Sequence, residues 1–148
     1  LEPSLVRALA LARLGDSTDL TLLLETLHLG PPALWQVLDA LHDLAEPEAL
    51  EPLKTLARDR RGGARTWLCL ARLEPEGPWA EALADHLDVG RLAESLSWLA
   101  EGLITAEEHA LVAEPFQRAL ALWSDRKLSP RVTALRARIE EQLSPGDP

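Results

Sequence analysis

Four leucines, Leu14, Leu44, Leu73 and Leu103, recur at near-equal steps, and each closes a segment with the same internal grammar. Self-similarity at such a period marks a repeat architecture, in which a unit too small to bury its own apolar face buries it against its neighbours. The segment "LARLGDSTDLTLLLETL" (11–27) lies over "LHDLAEPEALEPLKTLA" (41–57), so that Leu11, Leu14, Leu20 and Leu23 fall on Leu41, Leu44, Leu50 and Leu53. "LARLEPEGPWAEALADHL" (70–87) follows with one extra residue in its turn, which brings Leu83 opposite Leu53. The fourth copy, "LAEGLITAEEHALVAEPFQRAL" (99–120), places "EPF" at 114–116 where the second has "EPL" at 51–53.

Each copy reads as a pair of helices. Leucines at i, i+3 and i+4 predict first helices over about 4–14, 33–44, 64–73 and 91–103. Small residues share one register there, Ala10, Ala40 and Cys69, where neighbouring helices are expected to approach closely. The turns "GDSTD", "AEPEA", "EPEGP" and "ITAEE" follow, with Gly15 suited to a C-cap and Asp16, Ser17 and Thr105 to N-caps. Second helices are expected over about 18–28, 47–58, 78–87 and 106–123. Pro47 fits a first helical turn, where the missing N–H has no partner to lose. Pro52 inside a regular helix would remove a hydrogen bond and clash with the carbonyl four residues back, so that helix either kinks or starts in earnest at Glu51. Pro115 in the matched position implies the same for the fourth copy.

The fold expected is all-α: a right-handed α-solenoid of about four helix pairs, repeats at about 4–30, 31–60, 61–88 and 89–123, in one domain over 1–143. The segment 130–143, "PRVTALRARIEEQL", fits no full repeat and reads as a capping helix. Val132, Leu135, Ile139 and Leu143 make its apolar stripe, with Arg131, Arg136, Arg138, Glu140 and Glu141 facing water. The tail 144–148, "SPGDP", is small, polar and proline-rich, as disordered ends are.

Composition narrows the function classes. With 148 residues and 47% hydrophobic content the chain can bury a sizeable core. A net charge of −9 opposes nucleic acid, whose binding is largely phosphate neutralisation, and an anionic membrane surface. The lone Cys69 cannot form an internal disulfide and suits a reducing, cytoplasmic setting. No apolar run approaches the roughly 20 residues of a membrane span. No signal-peptide pattern opens the chain, and Leu1 in place of an initiator Met reads as a processing boundary that leaves room for a preceding segment.

Chemistry at a single site finds little to build on. His28, His42, His86 and His109 show no metal-binding spacing with one another or with Cys69. Asp39, His42 and Asp43, and the triplet Glu107-Glu108-His109, come nearest to a cluster and read as solvated helix faces. Cys69, in the small-residue register, reads as a buried structural thiol. The stretch "RDRRGGAR" (58–65) holds four of the 15 basic residues but lacks the Lys-Ser/Thr ending of a phosphate loop, and reads as an inter-repeat turn. Neither a catalytic centre nor a cofactor or metal is expected. Of the five tryptophans, Trp67 and Trp79 occupy leucine positions and are expected in the core, while Trp35, Trp98 and Trp123 are less constrained.

The segments "LARLGDSTDLTLLLETL", "LHDLAEPEALEPLKTLARD" and "LARLEPEGPWAEALADHL" resemble HEAT repeats, specifically the short bacterial kind grouped with phycobilisome-lyase HEAT-like repeats. The likeness covers about 5–123 and rests on an apolar first helix, a "LGD-P-A" turn and "L-P-L---L-D". Two departures stand out: the first helices lack the family's buried Arg–Asp pairing, and 130–143 lies outside the pattern. The resemblance implies that second helices line a concave side. There the register stacks Thr21, Glu51, Glu81 and Glu114 in one row, Glu25, Thr55 and Asp85 in a second, and His28, Arg58 and Asp88 in a third. Of these, Thr21, Glu25, Glu51, Thr55, Arg58, Glu81, Asp85 and Glu114 are the expected partner-binding residues. They would offer a mainly acidic groove to a basic segment of another protein, as in a scaffold or regulatory module. The resemblance also admits a bilin lyase-like or chaperone-type modifying protein. Nucleic-acid processing on a HEAT scaffold is disfavoured by the charge.

Overall fold

The computed structural model describes residues 2–89, 91–103, 105–124 and 127–143, with backbone only for 88–89, 91–93, 99–100 and 106–112. Among the described residues every regular element is helical: α1 (Pro3–Arg13), α2 (Leu20–Glu25), α3 (Ala33–Leu44), α4 (Leu50–Arg58), α5 (Ala64–Leu73), α6 (Trp79–Val89), α7 (Arg91–Ala100), α8 (Ala106–Trp123) and α9 (Pro130–Leu143). Two compact units result, one ending at Gly77 and the other beginning at Pro78.

The prolines at 47 and 52 are accommodated by starting the helix in two stages. Pro47 opens a 3₁₀ turn over Pro47–Ala49, and α4 then begins at Leu50. Pro52 therefore falls within the first turn of α4, where a backbone N–H has no intrahelical acceptor. The matched position in the fourth repeat behaves differently. Pro115 lies in the interior of α8, which runs through it from Ala106 to Trp123, so that helix does not restart there.

Helix ends follow local chemistry. After α1, Gly15 takes φ +77°, and the amides of Gly15 and Asp16 return to the carbonyls of Ala12 and Leu11, a Schellman closure. Asp16, expected as an N-cap, instead closes a small turn by accepting the Thr18 amide at 2.9 Å and the Thr18 hydroxyl, bonds that lower its carboxyl pKa. Ser17 donates to Glu46 Oε1 at 2.7 Å and so ties this turn to the corresponding turn of the next repeat. Helix α2 is shorter than expected because Thr26 Oγ1 bonds the Leu23 carbonyl and His28 Nδ1 engages that of Glu25. Helix α7 ends at Ala100, earlier than expected, with Gly102 at φ +72° and the Leu103 amide returning to the Trp98 carbonyl at 2.9 Å.

Ala45 holds the position equivalent to Gly15, ends α3 and takes φ +51°, a left-handed conformation that disfavours a Cβ. Ala45→Gly is expected to raise stability by about 0.5–1 kcal/mol, the relief of the left-handed strain outweighing the glycine's extra unfolded-state entropy. Urea denaturation measures it directly, and a loss of stability would contradict the assignment of strain to this residue.

In the unit ending at Gly77, α3 packs between α1 and α5, α2 lies on α1 and α3, and α4 lies on α5. The buried side chains are Leu5, Ala8 and Ala12; Leu23; Leu34, Val37, Leu38 and Leu41; Leu53 and Leu56; Leu68 and Leu70. Leu14, which the repeat spacing places on the same stripe, is exposed, and α1 buries Ala8 and Ala12 instead. A fully buried leucine contributes about 1.5–3 kcal/mol, so this repeated apolar face dominates the unit's stability. Ala40 and Cys69 are buried as their register implies, and Cys69 Sγ lies 3.2 Å from the Leu38 carbonyl. Ala10 is exposed, because α1 packs on its neighbours through Leu5, Ala8 and Ala12 and turns Ala10 to the outside.

The unit beginning at Pro78 is closed by α9, which contacts α6, α7 and α8. Ser129 Oγ accepts the Val132 amide at 3.3 Å and Pro130 takes the first helical position, a common way to start a helix. Val132, Leu135 and Ile139 are buried, as are Leu83, Leu87, Phe116 and Trp123. Trp123 is fully buried, its indole Nε1 without a hydrogen-bond partner, whereas Trp67 and Trp79, expected in the core, are half-buried. Arg136, expected to face water, donates to the Trp123 carbonyl at 3.2 Å and to Glu140 at 3.1 Å. Position 104 and the tail 144–148 lie outside the described residues.

Candidate partner-binding site

The expected row residues of the first unit are all exposed, and all but His28, which follows α2 in a turn, lie on second helices. Thr21 and Glu25 stand four apart on α2; Glu51, Thr55 and Arg58 stand at i, i+4 and i+7 on α4. Four- and three-residue spacings gather each set on one helix face. The opposite faces carry Leu23 and Leu53, fully buried, so the rows are the solvent side of two amphipathic helices. Glu51 lies 3.8 Å from Lys54, and Thr55 Oγ1 donates to the Glu51 carbonyl at 3.2 Å.

In the second unit the row residues are already engaged. Arg131, from the first turn of α9, places Nη1 2.8 Å from Asp85 Oδ1 and Nη2 3.6 Å from Glu81 Oε2. Ser129 Oγ lies 3.5 Å from the same Glu81 oxygen. Glu114 receives Arg118 at 2.9 Å one turn along α8. An arginine between two carboxylates removes much of the negative potential that α6 alone would present. His86, also on α6, is half-buried, and burial lowers its pKa, favouring the neutral imidazole. The Asp88 side chain and the side chains of Glu107, Glu108 and His109 lie outside the described residues.

A third feature has no counterpart among the expected sites. Between α1 and α3 runs a groove of about 280 Å³, lined by Val6, Leu9, Ala10 and Arg13 on one side and by Gln36, Asp39, Ala40 and Asp43 on the other. Each residue of the first set is the repeat equivalent of one in the second, so the groove consists of matched positions on successive first helices. The small side chains of Ala10 and Ala40 leave the space. Val6 is half-exposed on one rim, and Asp39 and Asp43 bring two carboxylates to the other.

Asp39 is held in place from behind. Arg65, on α5 and 6% exposed, donates from Nε to Asp39 Oδ1 at 3.1 Å, and its guanidinium lies 5.2 Å from the centre of the Trp35 ring. The structure thus contains a buried Arg–Asp pair between first helices, contrary to the expectation that such a pair is missing. The same bond resolves the "RDRRGGAR" cluster. Arg65 is part of the core, and Arg61 donates to the carbonyls of His28 and Leu29 at 3.1 and 2.8 Å, satisfying the end of the preceding repeat. Two of the four arginines are therefore structural, and Gly62 and Gly63, both at positive φ, form the turn between α4 and α5. His42 is half-buried and lies 3.8 Å from Asp43, and no group of three His, Cys, Asp or Glu able to hold a metal ion occurs among the described residues.

Two exposed apolar side chains mark the far end of α7: Trp98 and, after the helix, Leu103, 45% and 68% exposed. No described helix is long and apolar enough to cross a membrane. Compared with protein-family models, curated proteins and solved structures, the chain matches none of them.

Proposed function

We propose that this chain is a protein-interaction module, an α-solenoid of HEAT-like helix pairs that offers exposed faces of regularly spaced helices to a partner protein with a basic segment. The observation that carries the reading is the arrangement of the first unit. First helices α1, α3 and α5 pack in sequence, while α2 and α4 carry Thr21, Glu25, Glu51, Thr55 and Arg58 fully outward. Rigid helix pairs with a regular polar face suit recognition of an extended partner, with affinity from a few buried anchors and rate from charge. The acidic contribution comes mainly from Glu25, since Glu51 has Lys54 beside it, Glu81 and Asp85 are matched by Arg131 and Glu114 by Arg118. A pigment-handling alternative calls for an aromatic-lined apolar pocket, and the α1–α3 groove is lined by no aromatic ring.

The test is a Glu25→Lys/Glu51→Lys variant whose helical circular dichroism is unchanged. A partner that binds through the second-helix face is expected to bind it about tenfold more weakly and with a reduced salt dependence. Equal affinity of the variant for that partner would remove the second-helix face from the account.

A further inference from the structure

Four large apolar side chains stand exposed among the described residues, and they fall in two pairs. Val6 and Leu14, 50% and 82% exposed, belong to α1 and its end; Trp98 and Leu103, 45% and 68% exposed, belong to the end of α7. Single apolar side chains are ordinary on a surface, but grouped ones mark a contact. On α1, Val6, Ala10 and Leu14 follow at four-residue spacing, which sets a small side chain between two larger ones along one face. On α7, Gly102 at φ +72° turns the chain back, and the Leu103 amide meets the Trp98 carbonyl at 2.9 Å. That closure brings the two apolar residues together at the helix end. The α1 face is one that the chain fills elsewhere. Val6 and Ala10 share a register with Arg65 and Cys69 of α5. Helix α5 turns that register onto the preceding first helix, α3. The Arg65 guanidinium lies 5.2 Å from the centre of the Trp35 ring, and Cys69 Sγ reaches the Leu38 carbonyl. Helix α1 has no preceding first helix among the described residues, and there the register is open.

We infer that the α1 face receives the Trp98–Leu103 pair of a second copy of this chain. A tryptophan ring then lies against Val6 and Ala10 in the register where Trp35 meets Arg65 within the chain, and one contact covers all four exposed side chains. Charge decides that unlike faces meet. Helix α1 carries Arg7 and Arg13 and no acidic residue, whereas Glu94 and Glu101, both exposed, are the only charged residues over 92–103. Two α1 faces brought together would oppose arginines, and two α7 ends would oppose glutamates. Charge sets the polarity of the contact more than its strength. Arg7 already lies 3.5 Å from Asp19, and Arg13 borders a groove that holds Asp39 and Asp43. The strength comes from removing the apolar pairs from water. A single contact of this kind leaves one free face of each type, so association continues until it closes on itself.

Sedimentation velocity of the intact chain over roughly 10 µM to 1 mM, the range in which small contacts dissociate, measures the association. Two variants each remove one face: Val6→Glu/Leu14→Glu on α1 and Trp98→Glu/Leu103→Glu on α7. All four positions are exposed, so both variants should keep the parent's circular dichroism. Leu14→Ser and Leu103→Ser replace them if either does not. The parent is expected to gain mass with concentration, and each variant alone to associate about tenfold more weakly or less. An equimolar mixture of the two variants is expected to form a dimer that neither forms alone, because each then supplies the face the other lacks. A parent that stays monomeric throughout would overturn the inference. So would a variant that self-associates as the parent does, which would point to a contact between like faces. A mixture that remains monomeric while the parent associates would overturn it as well.

Discussion

Asp39→Ala is expected to destabilise the chain by about 2–3 kcal/mol, well beyond the few tenths typical of a surface carboxylate. The cause is the guanidinium left behind. Arg65 is almost wholly buried, and removing Asp39 withdraws the carboxylate that its Nε meets at 3.1 Å. A fully desolvated pair broken on one side costs more, about 3–5 kcal/mol, but the Asp39 side chain keeps a quarter of its exposure and water moderates the loss. The Trp35 ring continues to face the cation and offsets a smaller part, about 0.5–1 kcal/mol. Removing both charges tests the explanation. Asp39→Leu/Arg65→Met leaves no buried charge from the pair and is expected within about 1 kcal/mol of the parent. Urea denaturation of the three proteins decides it; a single variant as stable as the parent would mean that Arg65 does not depend on Asp39 for its burial.

Gly62→Ala is expected to cost about 3 kcal/mol or more, for two reasons that add. Gly62 sits at φ +80°, where a Cβ is strained by about 1–2 kcal/mol. The new methyl would also run into Thr66 Oγ1 and stand 2.6 Å from Leu38 Cδ1. Neither neighbour can move cheaply. Thr66 donates to the Arg61 carbonyl at 2.7 Å, and Leu38 is fully buried in the layer of first helices. Overpacking of this kind costs about 1–3 kcal/mol. Gly15→Ala is the control: φ is +77°, but nothing lies within 4 Å of the added Cβ, so only the backbone strain should appear. Thermal unfolding should therefore separate the two variants by several degrees. Equal losses would show that the Gly62 turn can open to admit a side chain.

The spacing of leucines places the helices because it gathers apolar side chains on one face of each, although Leu14 and Leu103, which mark the period, are themselves exposed. Leu38, Leu53 and Leu83 are fully buried at the positions the register assigns. Helix boundaries are legible where a proline or glycine forces one outcome, as at Pro47, Gly15 and Pro130. Pro115 defeats the same logic. Its neighbours on both sides favour helix strongly enough for α8 to continue through it, and a three-residue match to "EPL" carries no information about that balance. The tryptophans mislead for a related reason. Alignment with a leucine says which face a residue shares, not how deep it lies: Leu20 and Leu50, aligned with Trp79, are themselves only part-buried, and Trp67, aligned with the buried Leu38, is part-buried too.

The site is less legible than the fold. Thr21, Glu25, Glu51, Thr55 and Arg58 lie exposed on α2 and α4, because amphipathic spacing is local, whereas His28 falls beyond the end of α2. The neutralisation of Glu81 and Asp85 is not legible, since Arg131 belongs to α9, which lies outside the repeat and has no register from which to infer its neighbours. The Arg65–Asp39 pair is hidden because its separation of 26 is close to the period but offset from it, so aligned positions do not reveal it. A signal does exist. Asp39 interrupts a run from Leu34 to Leu41 in which Leu34, Val37, Leu38, Ala40 and Leu41 are all buried, and an ionisable residue in such company calls for a partner on the next first helix.

The central claim is that outward-facing helix surfaces of the first unit bind another protein. The most direct test is site-specific photo-crosslinking in lysate of the native host, with a benzophenone amino acid placed in turn at Thr55 on α4, at Gln36 beside the groove and at Glu140 on α9. The account predicts an adduct with one protein from Thr55 or Gln36, abolished by excess unlabelled chain, and none from Glu140. Adducts that do not saturate, or that form equally from Glu140, would contradict it.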